Sequence, residues 1–218
     1  MDKIFTKNIE HESAVKHVTG KAIYTDDISE PKNLLHAVIG YSNCSKGVIK
    51  KIDYKDVLSS EGVVDIITEK DIEGINDVGP IFKGDKIFTS KNIEYYGQPI
   101  FAVIAKTNNL AKKAALKVKI DLKISKPIVS IEEALKKKSF VLKPKYLTRG
   151  NIKDGFKKSD NILKGKLYSG GQDHFYLEGQ IAMTIPQEDN NFLVYSSTQH
   201  PSETQQIIGK VLKQNYNS

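Results

Sequence analysis

The sequence predicts an α+β fold for residues 20–127, in which short strands and a few helices enclose one core. Two observations carry this prediction. Short β-branched or apolar runs, bounded by turn residues, recur along the region. They group into two half-similar units of strand, helix and strand, joined by connections of mixed kinds. A chain of 218 residues also buries roughly 70% of the surface that its unfolded form exposes, so it needs no disulfide or metal to fold.

The first unit is predicted to contain two strands, a helix and a third strand, in this order: Leu34–Tyr41, Val48–Tyr54, Lys55–Ser59 and Val63–Thr68. Asp53 is placed to cap the short helix, and Gly62 ends it. A loop at Asn76–Pro80 then leads to the second unit.

The second unit is predicted to contain two strands, a helix and a third strand: Ile93–Tyr96, Ile100–Ala105, Thr107 to about Val118, and Lys119–Ile124. Gly97–Pro99 is a turn between the first two strands. Thr107 is the predicted cap of the helix, and apolar residues recur along it at helical spacing. The α+β domain is expected to end near Pro127.

The rest of the chain is predicted to be less regular. Ser130 and Glu133 have the spacing of a capping box, which indicates a short helix. Further strands and a final helix are predicted at Leu163–Tyr168, His174–Ile185, Phe192–Ser197 and Pro201 to about Gln214. The chain is therefore divided into an extended lead-in over residues 1–19, the α+β domain over 20–127, a connector with a short helix over 128–161, and an incomplete second domain over 162–218.

The final helix carries an apolar stripe for which the sequence provides no evident sheet: Ile207, Ile208, Val211 and Leu212. Apolar surface without a partner favours association and costs stability. We therefore expect residues 162–218 to pack poorly and to be the least stable part of the chain.

Charge and cysteine content exclude several function classes. The net charge is +7, but Arg149 is the only arginine and the lysines are spread out, so no nucleic-acid partner is expected. Cys44 alone forms no internal disulfide, zinc site or iron–sulfur cluster, and a cytoplasmic location is expected. The longest apolar stretch, Ile100–Ala105, is far shorter than the roughly 20 residues of a spanning helix, so no membrane partner is expected.

Two stretches could carry chemistry. Gly170–Glu178 places polar and aromatic residues after two glycines, which let a backbone approach a ligand or bend sharply. Its plainer interpretation is a half-exposed strand with a glycine bulge. Ser197–Pro201 leads into a helix N terminus, where N–H groups can bind an anion such as phosphate. Its plainer interpretation is an ordinary capped helix, and the residues alone favour the plainer interpretation in both places.

The same two stretches resemble landmarks of the xanthine dehydrogenase and aldehyde oxidase family. Residues 170–180, GGQDHFYLEGQ, are similar to the family's GGQEHFYLEGQ segment, and residues 197–202, STQHPS, to its next landmark. Other stretches match the family's hammerhead domain in order: Gly20–Ile28, Leu35–Ala37, Ile52-Asp53, Glu61–Val63, Asn76–Pro80 and Gly97–Pro99. The resemblance implies an α/β hammerhead domain followed by an incomplete molybdopterin-binding domain.

The STQHPSE form and the NDVGP loop resemble bacterial members, in which the molybdenum portion is a separate chain. This resemblance implies a molybdenum–molybdopterin cofactor and the hydroxylation of hypoxanthine and xanthine to urate, with water as oxygen source and NAD as final acceptor. It also implies a hetero-oligomer with a partner subunit that carries FAD and 2Fe-2S clusters. Two alternatives stay open: a subunit of an aldehyde or other heterocycle dehydrogenase, and a non-catalytic subunit-docking module.

The resemblance also assigns site residues. By position, Gln172 corresponds to the glutamine whose amide hydrogen-bonds the oxo ligand of molybdenum, and Gly170 and Gly171 accompany it as cofactor-binding residues. It assigns no metal ligand. Asp173 stands where glutamate is usual, and Ser42–Ile49 lacks the His-Ala-Arg often seen there. The family's GGGFGGK segment, substrate arginine and base glutamate would lie beyond the last residue, so we expect the chain alone to be inactive and to bind no cofactor stably.

Overall fold

The computed structural model of the protein describes residues 10–216. Ala14–Val18 form a short helix, α1, so the lead-in predicted to be extended over residues 1–19 is wrong there. Residues 1–9 of that prediction lie outside the described residues. The chain divides into two compact units: the residues up to 125 together with those from 177 onwards, and residues 126–176. The four-part division of the sequence stays a prediction.

The strands are, in chain order, β1 (His36–Tyr41), β2 (Gly47–Asp53), β3 (Val63–Ile67), β4 (Asn92–Ile93), β5 (Pro99–Ala105), β6 (Lys119–Ile124), β7 (Ala182–Pro186) and β8 (Phe192–Ser196). The helices that follow α1 are α2 (Lys55–Leu58), α3 (Asn108–Ala115), α4 (Ile131–Lys137), α5 (Ile152–Lys157) and α6 (Pro201–Leu212). Short 3₁₀ turns lie at Thr25–Asp27, Glu69–Asp71 and Glu188–Asn190. Five of the six strands predicted between residues 34 and 124 are confirmed, with bounds that differ by no more than two residues. The sixth, predicted at Ile93–Tyr96, is wrong beyond its first residue, because β4 ends at Ile93 and a turn follows.

Two antiparallel three-stranded sheets form the α+β domain. In one sheet β5 lies between β1 and β3, and in the other β2 lies between β4 and β6. Val103 of β5 is opposite Val38 on one side and Ile66 on the other. Antiparallel sheets mixed with short helices confirm the predicted α+β class.

The core lies where β5 meets α3. Its centre consists of buried residues from these two elements: Ile100, Phe101, Val103, Ala105, Ala111 and Ala114. Strand β1 contributes Gly40, because the ring of Phe101 occupies the space in which any larger residue would place its Cβ. The ring of Tyr54 meets Phe101 edge-on, with 5.3 Å between the ring centroids. Gly40, Tyr54 and Phe101 therefore form one close-packed group.

The position of Tyr54 predicts a pH dependence of stability. Burial raises the pKa of its hydroxyl from 10.0 to about 12, with a smaller contribution from the Asp71 carboxylate. The unfolded chain loses this proton at lower pH than the folded protein, so the stabilisation is fully present below pH 10 and is lost as the pH rises through 12. From this group we expect the free energy of unfolding to fall by about 2 kcal/mol over that range.

Urea unfolding of the wild type and of Tyr54→Phe at a series of pH values measures this contribution. All other titratable groups are the same in both proteins, so the difference between the two curves isolates Tyr54. Equal pH dependence in the two proteins would show that the Tyr54 hydroxyl does not contribute.

The second unit, residues 126–176, has little regular structure. α4 begins at Ser130, whose hydroxyl accepts a hydrogen bond from the Glu133 N–H at 3.2 Å, which confirms the predicted cap. α5 was not predicted and lies within the expected connector. The strand predicted at Leu163–Tyr168 is wrong, because these residues form no regular element. A strand needs a neighbour for its backbone hydrogen bonds, and no described strand lies beside this segment.

The final helix packs on a loop of the first unit. The N–H groups of Gly74 and Ile75 donate to the carbonyls of Val211 and Lys210, at 2.9 and 3.1 Å. Gly74 allows this approach, since a Cβ there would collide with the Lys210 carbonyl. The apolar stripe is consequently half-buried except for Leu212, which is 38% exposed. Among the helices of residues 10–216, none is long and apolar enough to cross a membrane.

Candidate functional site

The three residues predicted to bind a cofactor, Gly170, Gly171 and Gln172, lie in the second unit on an exposed, irregular segment. A Cβ built on either glycine would meet no atom within 4 Å. The space beside the backbone is therefore open at this point, as close approach by a ligand requires. The plainer interpretation was a half-exposed strand with a glycine bulge. The strand is wrong, because residues 170–181 form no strand, and these residues are mostly exposed.

A local turn follows Gln172. The Asp173 carboxylate accepts a hydrogen bond from the Phe175 N–H at 3.3 Å, and Phe175 has a positive φ of 48°. An aspartate that bonds the backbone two residues further on competes with strand pairing. The strand predicted over His174–Ile185 consequently starts only at Ala182.

Within the first unit, hydrogen bonds link residues in or next to three stretches that resemble family landmarks. The Glu178 carboxylate accepts from the Thr25 N–H at 3.1 Å, although the two residues are 153 positions apart. The Ser197 N–H donates to the Ile181 carbonyl at 3.1 Å, and the Ile181 N–H donates to the Ser197 Oγ at 3.0 Å. The end of GGQDHFYLEGQ, the start of STQHPS and the GKAIYTDDI stretch thus meet.

The start of α6 is the second feature that could carry chemistry. The Thr198 Oγ1 accepts from the His200 N–H at 3.0 Å, and the Thr204 hydroxyl donates to the His200 carbonyl at 3.1 Å. Pro201 is the first residue of the helix, as predicted. A cleft of about 390 Å³ opens between β8 and α6. The local hydrogen bonds suit an ordinary helix start and add no second sign of an anion site.

The described residues, 10–216, contain no group of three or more histidine, cysteine, aspartate or glutamate side chains that could bind a metal ion. Cys44 is 8% exposed and belongs to the apolar core, which fits a structural thiol.

The contact between Glu178 and Thr25 predicts the behaviour of a variant. Glu178→Ala removes a charged acceptor from a half-buried N–H, which we expect to cost about 1.5 kcal/mol locally. Hydrogen exchange of the Thr25 amide should then become roughly tenfold faster. Glu178→Gln should largely restore protection, because the amide oxygen can accept the same bond.

Hydrogen exchange followed at the Thr25 amide makes the measurement, with Glu188→Ala as the control at an exposed turn. Unchanged exchange in Glu178→Ala, or exchange in Glu178→Gln as fast as in the alanine variant, would contradict this role.

Two family models match consecutive parts of the chain. Residues 19–126 match the a/b hammerhead domain of aldehyde oxidase and xanthine dehydrogenase, and residues 134–218 match a molybdopterin cofactor-binding domain. The chain belongs to the xanthine dehydrogenase and aldehyde oxidase family. The α+β domain is its hammerhead domain, and Gly170–Gln172 lie in its molybdopterin-binding region.

Individual relatives come from both branches of the family. A xanthine dehydrogenase from Dictyostelium discoideum is 38% identical over 207 residues, which is 95% of this chain and 15% of that protein. Aldehyde oxidase 2 from Mus musculus is also 38% identical, over 206 residues, which is 94% of this chain and 15% of that protein. The chain therefore spans about 15% of the length of these relatives.

Solved structures agree with the family assignment. The aldehyde oxidoreductase from Desulfovibrio gigas superposes with a TM-score of 0.78 at 26% identity, over 94% of this chain and 25% of that one. The aldehyde oxidoreductase from Desulfovibrio desulfuricans gives 0.80 at 25% identity, over 95% and 25%. The architecture described above is thus that of the xanthine dehydrogenase and aldehyde oxidase family.

The residues at 170–172 suit a molybdopterin group in their chemistry. Gln172 offers a neutral amide donor, and the two glycines leave open space on the backbone. The hydrogen bond between Glu178 and the Thr25 N–H was not predicted from the sequence. The one local signal was the place of Glu178 in the landmark, eight residues after Gly170. Its partner Thr25 lies in a different part of the sequence.

Proposed function

We propose that the chain is part of the molybdenum subunit of a xanthine dehydrogenase that hydroxylates hypoxanthine and xanthine to urate, with water as oxygen source and NAD as final acceptor. The observation that carries the proposal is the ordered match of both family models along the chain. The similarity to xanthine dehydrogenases and the STQHPSE form of residues 197–203 support this branch of the family.

A bound molybdenum–molybdopterin group supplies oxygen transfer and two-electron redox chemistry. In this chain, the Gln172 amide is proposed to donate a hydrogen bond to the oxo ligand and so to orient it. An amide does not titrate, so this donor is present at every working pH. Gly170 and Gly171 are proposed to let the backbone come close to the cofactor.

The proposal includes a partner subunit that carries FAD and 2Fe-2S clusters. Electrons that leave the molybdenum centre need carriers to reach NAD. The resemblance of residues 197–203 to the bacterial subunit type supports placing these carriers on the partner, in a hetero-oligomer located in the cytoplasm.

The test is an assay of the assembled enzyme. Molybdenum content and xanthine-dependent reduction of NAD are measured on the purified complex, with an aromatic aldehyde as the competing substrate. Turnover of xanthine well above that of the aldehyde is the expected result. The reverse preference would assign the chain to an aldehyde dehydrogenase, which the equally similar aldehyde oxidases make the second candidate.

A non-catalytic subunit-docking module is a further candidate. A complex that assembles but holds no molybdenum and oxidises neither substrate would support it.

A further inference from the structure

Part of the molybdopterin-binding region is built onto the hammerhead domain. Residues 134–218 match the molybdopterin-binding model, yet the residues from 177 onwards form one compact unit with the hammerhead domain. β7, β8 and α6 all lie in this part of the chain. Two sets of hydrogen bonds connect it to the hammerhead domain, and we name them the Glu178 joint (Glu178 with Thr25) and the Gly74 joint (Gly74 and Ile75 with Val211 and Lys210).

The Glu178 joint fixes the end of the stretch that contains Gln172. The Glu178 carboxylate accepts a hydrogen bond from the Thr25 N–H at 3.1 Å, and both residues are half-buried. Thr25 begins a 3₁₀ turn, in which the first N–H groups find no partner within the turn itself. Residues 170–181 form no helix or strand, so no regular backbone ladder holds this stretch. The side-chain bond to the hammerhead domain therefore supplies a restraint that regular structure does not.

The Gly74 joint caps the last turn of α6. The last four carbonyls of an α-helix have no partner inside the helix, and here the hammerhead N–H groups of Ile75 and Gly74 bond those of Lys210 and Val211 at 3.1 and 2.9 Å. The φ of Gly74 is not positive, so its backbone conformation does not require glycine. The close approach does, because an added Cβ would collide with the Lys210 carbonyl oxygen. An alanine at this position consequently tests the joint alone.

Hydrogen bonds link the two joints. α6 begins at Pro201, four residues after Ser197. The Ser197 N–H donates to the Ile181 carbonyl at 3.1 Å, and the Ser197 Oγ accepts from the Ile181 N–H at 3.0 Å. Ile181 follows Glu178 by only three residues, so a shift of α6 is transmitted to the stretch that Glu178 anchors.

We infer that the two joints position the cofactor-binding stretch, and that Thr25, Gly74 and Glu178 are positioning residues of the proposed enzyme. The inference rests on the proposed function and deepens it, because it gives the hammerhead domain a role in the reaction. Gln172 precedes Glu178 by six residues, so slack at Glu178 reaches the Gln172 amide along the chain. A displacement of about 1 Å in a reacting geometry costs on the order of 100-fold in rate, so a partial release is measurable.

The first arm of the test removes the Glu178 joint from either side. Glu178→Ala removes the acceptor and Thr25→Pro removes the donor. Proline suits the first residue of a helical turn, and Tyr24 before it is extended, with a ψ of 168°. The readout is the rate of molybdenum reduction per bound molybdenum in the assembled enzyme, with the better of xanthine and an aromatic aldehyde. Each variant should be about tenfold slower than the wild type.

Matched variants keep the bond. Glu178→Gln retains an acceptor and Thr25→Ala retains the N–H, so both should stay within about twofold of the wild-type rate. Combining Glu178→Ala with Thr25→Pro should be no slower than either alone, because both remove the same hydrogen bond.

The second arm opens the Gly74 joint. Gly74→Ala should speed hydrogen exchange of the Ile75 amide about tenfold, because the collision pushes the loop away from the α6 carbonyls. The rate of molybdenum reduction per bound molybdenum should fall by a similar factor. Gly165→Ala is the control and should change neither quantity, since a Cβ at Gly165 meets no atom within 4 Å and its φ is not positive.

Rates per bound molybdenum separate positioning from folding. Variants that lose molybdenum or melting temperature but keep the wild-type rate per bound molybdenum would overturn the inference, because the joints would then only stabilise the fold. A Glu178→Gln enzyme as slow as Glu178→Ala would overturn it for the Glu178 joint, since the hydrogen bond would not be what matters. The proposed function fails separately, before any variant is compared, if the assembled wild-type enzyme holds no molybdenum or prefers the aldehyde to xanthine.

Discussion

Replacing Gln172 by alanine in the assembled enzyme should slow the reduction of molybdenum by xanthine about 100-fold, which corresponds to roughly 3 kcal/mol of lost transition-state stabilisation. The amide can donate a hydrogen bond but cannot act as a base or nucleophile, so the reaction should become slow without being abolished. Gln172 is exposed and outside any regular element, so folding and molybdenum content should be unchanged. Stopped-flow kinetics at matched molybdenum content make the measurement.

Two further variants test the assigned role. Gln172→Glu should be as slow as the alanine variant, because a carboxylate that faces an oxo ligand replaces a donor by a repulsive charge. His174→Gln, at an exposed position two residues further on, is the control and should have a smaller effect. If Gln172→Ala reduces the metal at the wild-type rate, the role carried over from the family is wrong, and residues 170–172 are only an exposed, irregular segment.

The hammerhead domain could be predicted because its signals are local. β5 is an uninterrupted apolar run, and its side chains are buried on both faces of the sheet, so the run itself predicts a buried strand. Thr107 and Ser130 act as helix caps, and their hydroxyls accept the expected backbone hydrogen bonds. Pairing order was not predictable in the same way, since β5 contacts β1 and β3 across long stretches of sequence.

The failed predictions have three different causes. Leu163–Tyr168 has the alternation of a strand, but alternation indicates only which face could be buried and cannot supply a neighbouring strand. At Asp173 a local side-chain bond to Phe175 outweighs strand propensity. α5 was missed because it has only six residues in a polar stretch, with Gly155 inside it and only Ile152 and Phe156 at helical spacing.

Only part of the candidate site could be predicted from the sequence. Gly170, Gly171 and Gln172 were found because they occur in order within a stretch that resembles a family landmark, and their role stays a prediction. The bond from Thr25 to Glu178 joins two landmarks that are far apart in sequence, and no local pattern encodes it.

The largest loss of stability is expected from Phe101→Ala. Phe101 is 0% exposed in β5, and its ring occupies the space beside the Gly40 Cα in which a side chain would lie. Truncation removes the buried ring and its edge-on contact with Tyr54, and the flanking strands cannot close the space without breaking their register. We expect a loss of about 4 kcal/mol in the free energy of unfolding. Phe82→Ala, at a 62% exposed position, should cost less than about 1 kcal/mol.

A double-mutant cycle with Gly40 separates the energy of packing between Gly40 and Phe101 from other effects of each substitution on stability. In the wild type, the Cβ of Gly40→Ala would collide with the Phe101 ring, and overpacking of this kind costs about 1–3 kcal/mol. In the Phe101→Ala background the ring is absent, so the same substitution should cost little or should recover stability by filling part of the cavity. Urea unfolding of the four proteins gives the coupling energy, which should exceed about 1 kcal/mol. Strict additivity would mean that Gly40 and Phe101 do not pack as the structure places them, because only a shared space makes the cost of one depend on the size of the other.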